Sequence, residues 1–171
     1  MTMRCSRVVW VCVLLAMALE GCALLKKKPP PPPAAPTGTV VAPVAGKRKA
    51  TITIRTEKDV NPDRNSEPKP VTVRVYELPA DAPLRNTTID KVLDDDKAAL
   101  SYLARYEYTL APGREESREL ALSDATSFIG IVALFRDAAS ASSQWRAVVP
   151  VPKKPLLVTV AGTRVSVAST E

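Results

Sequence analysis

The chain has 171 residues, with 24 Lys and Arg, 18 Asp and Glu, and no histidine. Lacking histidine, it has neither the commonest general base nor the commonest metal ligand, and a Ser-His-Asp triad is impossible. The net charge of +6 is concentrated ahead of the folded part: Arg4 and Arg7 open the chain, six basic residues and no acidic ones lie between Ala23 and Lys49, and 16 basic residues face 17 acidic ones from Ala50 onward. No basic face is left to suit a nucleic acid.

Arg4 and Arg7 precede a twelve-residue apolar run, Val8 to Leu19. That is the order of an export signal, and the run is far short of the roughly 20 residues a membrane-spanning helix needs. It closes on Leu19-Glu20-Gly21-Cys22, which resembles the lipobox of bacterial lipoproteins, with Glu20 where a small or hydroxyl residue is usual. The resemblance implies that residues 1–21 are a signal peptide, that cleavage falls just before Cys22, and that the Cys22 thiol carries a diacylglycerol. Cys5 and Cys12 would leave with the signal. The mature chain then holds one cysteine and no intramolecular disulfide, so its stability must come from a core. Ala23 in place of an aspartate implies sorting to the outer membrane.

Residues 22–49 are expected to form a tether. Lys26, Lys27 and Lys28 suit either anionic headgroups, at about 1 kcal/mol each, or a solvated linker. Pro29 to Pro33, then Pro36 and Pro43, dictate an extended spacer rising about 3.1 Å per residue, a reach of roughly 60 Å or less. Residues 50–171 are long enough for one domain with a modest core.

Within that domain, Ala50–Thr56 alternates with Ile52 and Ile54 on one face, which predicts a strand. Asn61–Pro70, with three prolines and polar residues, predicts a loop. Val71–Leu78 alternates again. Asp81–Asn86 predicts a second loop and Thr87–Ala104 a helical insertion. There Ile89, Val92, Leu93, Leu100 and Leu103 fall at three-to-four spacings, and Asp94-Asp95-Asp96 splits the pattern into two short helices, one aspartate capping the second. Arg105–Leu110 predicts a strand, Ala111-Pro112-Gly113 a turn, and Glu115–Leu122 the returning strand. Phe128–Phe135 is apolar on both faces, as a central strand covered on both sides would be. Trp145–Val149 predicts a strand with Trp145 in the core. Leu156–Ala161 and Arg164–Ala168 predict a terminal hairpin turning at Gly162-Thr163. Seven or eight strands at this spacing favour a mainly β fold, an antiparallel β-sandwich.

The acidic residues carry no chemistry. Asp94, Asp95 and Asp96 are consecutive, whereas calcium loops space their ligands; capping and solvation account for them. No catalytic set, metal site or cofactor-binding motif is present.

Asn61-Pro62, the stretch Pro70-Val71-Thr72-Val73-Arg74-Val75-Tyr76-Glu77-Leu78, Leu93 to Asp96 with Leu100, Leu110 to Gly113, Ile131 to Asp137, and Trp145-Arg146 occur in that order behind the lipobox. Together they resemble the TssJ family, the outer-membrane lipoproteins of type VI secretion systems. The resemblance implies a transthyretin-like β-sandwich with a small helical addition. It implies a non-enzymatic, periplasm-facing anchor of the trans-envelope complex that binds the periplasmic C-terminal region of the inner-membrane protein TssM. It also implies that the loop between the first two strands makes the contact: here Asn61, Pro62, Asp63, Arg64, Asn65, Ser66, Glu67, Pro68, Lys69 and Pro70. The prolines would pre-set its shape and lower the ordering cost of binding. The alternative is a small-ligand carrier tethered to the outer membrane, which requires a lined cavity of several hundred cubic ångströms between sheet and helices.

Overall fold

A computed structural model describes residues 40–41 and 48–170. The signal peptide, Cys22 and the proline run lie outside the described residues. The elements are β1 (Val40–Val41), β2 (Arg48–Thr56), β3 (Val71–Leu78), α1 (Ala82–Asn86), α2 (Ile89–Leu100), β4 (Ala104–Leu110), β5 (Glu115–Leu122), β6 (Phe128–Leu134), β7 (Arg146–Pro150), β8 (Leu156–Ala161) and β9 (Arg164–Ser169). They form two layers, a sheet ordered β1-β4-β3-β6-β7 and a sheet ordered β5-β2-β8-β9. This is the β-sandwich that the alternation predicts, with one departure: β2 and β8 run parallel, Ile52 opposite Leu156 and Thr56 opposite Val160.

The core follows from period-two alternation. Ala50, Ile52 and Ile54 of β2 face Val71, Val73 and Val75 of β3, and Tyr106, Tyr108, Leu110, Leu120 and Leu122 join them, all buried. Glu115–Leu122 is not the hairpin partner of the strand before it. It pairs instead along β2, Ala50 opposite Leu120 and Arg55 opposite Glu115, as the edge of the other sheet. The physical cause lies in Thr56, whose Oγ1 donates to Ala111 O (2.7 Å) and accepts from the Arg114 amide (3.0 Å). That grips the turn at the end of β2 and sends the chain across the sandwich.

β6 is central, as expected, and buried on both faces. Its outer face is covered by the helical segment. Asp81–Asn86 is not a loop there but the short helix α1, whose Leu84 is fully buried. Gly130 makes the room, since a Cβ at that position would lie 2.6 Å from Leu84 Cδ2 and 2.8 Å from Leu78 Cδ1. Ile89, Val92 and Leu100 of α2 are buried too, each contributing about 1.5–3 kcal/mol. Leu93 is 58% exposed, and Leu103 lies beyond the helix, so these two leave the predicted stripe. Asp95 breaks the helix (φ −147°, ψ 91°), and its Oδ1 accepts from the Ala98 amide at 2.9 Å; this is the expected cap.

Asp96 corrects the solvated reading of the acidic triplet. It is 8% exposed. Its Oδ2 accepts from Arg105 (2.7 Å) and from the Tyr76 hydroxyl (2.9 Å), and Arg74 stands 3.5 Å away. Burial alone would raise its pKa, but these donors hold it below the ordinary carboxylate value, while burial and Asp96 push the Tyr76 hydroxyl upward. The cluster pins α2 to the outer face of β3 and β4.

Candidate partner-binding surface

The predicted loop sits between β2 and β3, at one pole of the sandwich. β2 starts at Arg48, opposite Leu122 at the end of β5, and finishes at Arg55–Thr56, beside the Ala111–Arg114 turn. Nine extended residues span about 30 Å. The segment that continues from the N-terminus therefore enters at one pole, and the loop emerges at the other.

Residues 61–70 divide into a fastened base and an exposed crest. Asn61 is 4% exposed and has φ 51°, a left-handed backbone that asparagine tolerates better than most residues. Its amide N–H donates to Gly162 O (2.8 Å), its Nδ2 donates to Pro70 O (2.7 Å), and its Oδ1 accepts from the Arg136 amide (2.9 Å). One side chain thus closes the loop onto itself and ties it to the β6–β7 connection, while its backbone ties it to the β8–β9 turn. Val60, fully buried, anchors the entry.

Asp63 shapes the crest. Its Oδ1 accepts from the amides of Asn65 (2.8 Å) and Glu67 (3.0 Å), and its amide donates to Glu67 O. The Glu67 amide is the main cause that holds the Asp63 carboxyl below its ordinary range, with Lys69 adding to it. Lys69 Nζ reaches Glu67 Oε2 at 2.7 Å and Asp63 Oδ2 at 3.1 Å. Ser66 takes a positive φ of 63° at the tip. Arg64, Asn65, Ser66, Glu67, Pro68 and Pro70 are exposed; Pro62, Asp63 and Lys69 are half-buried. Of the ten predicted residues, the structure makes Asn61 and Asp63 organisers of the loop and leaves the exposed ones free to touch another molecule.

Three further segments share this pole: the Ala111–Arg114 turn, the connection from Phe135 to Trp145, and the Gly162–Thr163 turn. The last two are joined by the Gln144 amide donating to Thr163 O (2.9 Å) and by the Asn61 bonds, and the first is held by the Gly113 amide donating to Glu57 O (3.3 Å). Sequence reasoning singled out one loop and did not show which segments lie beside it, because no local pattern marks which loops will end side by side. It also missed Glu77, 1% exposed. Glu77 Oε1 accepts from the Tyr106 hydroxyl (2.9 Å), and Oε2 accepts from the Ser123 amide (2.9 Å) and Thr126 Oγ1 (2.5 Å). A signal existed: in an alternating strand residue 77 falls on the face of Val71, Val73 and Val75. Trp145 packs in the core as predicted, 8% exposed, with the Arg146 guanidinium 4.7 Å from its ring.

Among the described residues no cluster of acidic side chains is placed to hold a metal ion, and no helix is long and apolar enough to cross a membrane. A cleft of about 460 Å³ lies between α1 and α2, lined by Pro83, Asn86, Thr87, Lys91, Asp94 and Asp95 among others. It opens on the outer side of the helices and takes no lining from the sheet.

Residues 48–169 match the family described as Type VI secretion lipoprotein, VasD, EvfM, TssJ, VC_A0113. No curated protein sequence matches the chain. Among solved structures, the T6SS lipoprotein TssJ1 from Pseudomonas aeruginosa is similar at 24% identity and TM-score 0.66, covering 72% of this chain and 96% of that one. Lip of Serratia marcescens, a membrane-bound component of the type VI secretion system, is similar at 17% identity and TM-score 0.65, covering 72% and 97%. A chain in a structure described as the C-terminal domain of the T6SS protein TssM from EAEC is similar at 23% identity and TM-score 0.63, covering 71% and 98%. These likenesses establish the fold. The family match, spanning most of the chain, establishes membership: the chain belongs to the type VI secretion lipoprotein family.

Proposed function

We propose that this type VI secretion lipoprotein is a non-catalytic anchor. It is held in the outer membrane by acyl chains on Cys22, faces the periplasm, and binds the periplasmic C-terminal region of TssM through the crest of the loop at residues 61–70. The observation that carries this reading is the polarity of β2. The chain arrives from the tether at Arg48 and leaves at Thr56 directly into the loop, so the loop is presented about 30 Å away from the entry pole. An anchor that must meet a partner across the periplasm needs its docking surface on the side away from its lipid.

The build of the loop supports the same reading. Asn61 and the Asp63 carboxylate hold it in one shape, so little entropy is lost when Arg64, Asn65, Ser66, Glu67 and Pro68 meet a partner surface. A chain of this fold also occurs in the structure described as the TssM C-terminal domain. The carrier reading has less support, since a polar, outward-facing cleft between two helices is unlike the enclosed apolar site a small ligand needs.

Replacing residues 62–69 with a Gly/Ser loop, with Asn61 and Pro70 kept, should abolish co-purification with the TssM periplasmic region while the far-UV circular dichroism is unchanged. Retained affinity would move the docking site elsewhere. Cys22→Ser should shift the protein from the membrane to the soluble fraction; unchanged fractionation would refute lipid anchoring.

A further inference from the structure

Packing explains only half of the Trp145-Arg146 pair. Among the described residues three arginines are half-buried: Arg74, Arg105 and Arg146. Arg74 meets Glu107 and Arg105 meets Asp96, each at 2.7 Å. Arg146 has no such partner among the described residues. Its guanidinium donates to Thr87 O and lies 4.7 Å from the Trp145 ring, and burial draws its pKa down with no carboxylate to oppose the shift. We infer that a carboxylate side chain of the protein docked at the loop pole enters the cleft beside Arg146 and becomes its counterion.

The cleft holds about 300 Å³ and lies between the α1–α2 connection and the β6–β7 connection. Ile89, Ala138 and Trp145 give it a buried apolar lining. Asp90 and Ala139 line it as well and are exposed; Asp90 makes no ion pair with Arg146. A guanidinium carries five N–H donors, and here one of them finds an acceptor. A cation taken partly out of water without a counterion is costly to hold. The same setting makes an incoming carboxylate worth more than it would be on an open surface. An arginine braced on a tryptophan beside an apolar pocket has the composition of an interface hot spot.

Charge and position select the occupant. The group that matches a lone guanidinium is a carboxylate, which its N–H fork can hold by two parallel bonds. The wall at Ala138–Ser140 belongs to the connection that Asn61 fastens: the Arg136 amide donates to Asn61 Oδ1 at 2.9 Å. Ala138 is two residues further on, at most about 7 Å along the chain. The cleft therefore adjoins the base of the loop at residues 61–70. A standard interface covers about 800 Å² on each partner, wide enough to take in the crest and the cleft together. The inference rests on the reading that the partner docks at this pole, and it adds what that partner must carry: an acidic side chain beside the surface that meets the crest.

The test is calorimetric titration of the chain from Cys22 onward, unacylated, with the TssM periplasmic region. Arg146→Gln should weaken binding about tenfold or more, Arg146→Glu further, and Arg146→Lys less than either because it keeps the charge. Ala139→Glu leaves Arg146 in place and supplies a carboxylate from within the chain, so it should also weaken binding about tenfold. Ala139→Gln, of the same size without the charge, should weaken it clearly less. Thermal unfolding verifies that each variant is folded, and the exposed Ala139 variants decide the matter if Arg146 variants do not fold. Affinity within about twofold of wild type in both Arg146→Gln and Ala139→Glu, or equal losses in Ala139→Glu and Ala139→Gln, overturns the inference. A small-anion site would show as a Tm raised by glutarate in wild type but not in Arg146→Gln, with TssM affinity the same in both; that too overturns it. Failure of the loop reading shows separately: unchanged TssM affinity after replacement of residues 62–69, with losses at Arg146 and Ala139 as described, would support the cleft and remove the crest. Wild type that does not bind TssM refutes both.

Discussion

Replacing Asn61 with alanine removes two hydrogen bonds and forces a Cβ-bearing residue without a polar side chain to hold φ 51°. Pro70 O and the Arg136 amide are left without their partner at a position 4% exposed. Each lost bond costs about 0.5–1.5 kcal/mol, and the left-handed backbone costs about 1 kcal/mol more. The sum is about 3 kcal/mol, a large part of the roughly 5–15 kcal/mol that holds a domain folded, or about 10 °C in Tm for a domain of this size. Urea unfolding followed by circular dichroism measures it. Asn61→Gly loses the same bonds but relieves the backbone, so it should recover about 1 kcal/mol of the loss. Asn61→Asp keeps the acceptor for Arg136 yet turns a second oxygen toward Pro70 O, and should be at least as damaging as alanine at neutral pH. An alanine variant within about 0.5 kcal/mol of wild type, or a glycine variant no better than alanine, would refute the reasoning. Because Asn61 sets the loop without reaching its crest, TssM affinity should also fall in the alanine variant although every exposed crest residue is intact.

Glu77→Ala orphans three buried donors and should cost about 3–5 kcal/mol, whereas Glu77→Gln keeps one acceptor oxygen and offers Tyr106 a donor; equal losses in urea unfolding would show that the carboxylate network matters little. Asp96 titrates below its ordinary value in the folded state, so its contribution is present above the unfolded carboxylate pKa of about 3.9 and disappears as pH falls through the lower folded value. Asp96→Asn should therefore lower the urea midpoint at pH 7 and flatten its decline below about pH 4; parallel acid limbs for the two proteins would contradict this. Gly130→Ala drives a methyl group to 2.6 Å from Leu84 Cδ2 and should cost about 1–3 kcal/mol, with Leu84→Ala in the same chain partly restoring the fit; a neutral single variant would mean that α1 does not rest on that strand.

The sandwich was legible because its strands are written in period two. Val71–Leu78, Glu115–Leu122 and Leu156–Ala161 begin and end where their alternation does, and Phe128 to Leu134 is apolar on both faces because it lies between the opposite sheet and α1. The loop at residues 61–70 was legible from its prolines, and the Asp95 cap from the interruption of the helical stripe. Other features were not. Asp81–Asn86 looks like a loop because Pro83 and Asn86 are common in loops, yet Pro83 stands in the first turn of α1, where a missing N–H costs nothing, and Leu84 finds its pocket only because Gly130 lies opposite. Asp96 looks like its two solvated neighbours. Nothing local says that Tyr76 and Arg105, 20 and 9 residues away, converge on it.

Taken alone, the sequence determined the class of fold, the family resemblance and the place of the loop at residues 61–70. Those properties reside in composition and short-range periodicity, which a linear reading contains. Only the tertiary structure decided that β5 crosses to the other sheet, that β2 and β8 run parallel, that four separate segments meet at one pole, and that Val40–Val41 leaves the tether to close the edge of β4. Each of these is a pairing between strands distant in sequence. Such choices are settled by which faces and edges are left open once the core is packed, a property of the whole chain that no short window holds.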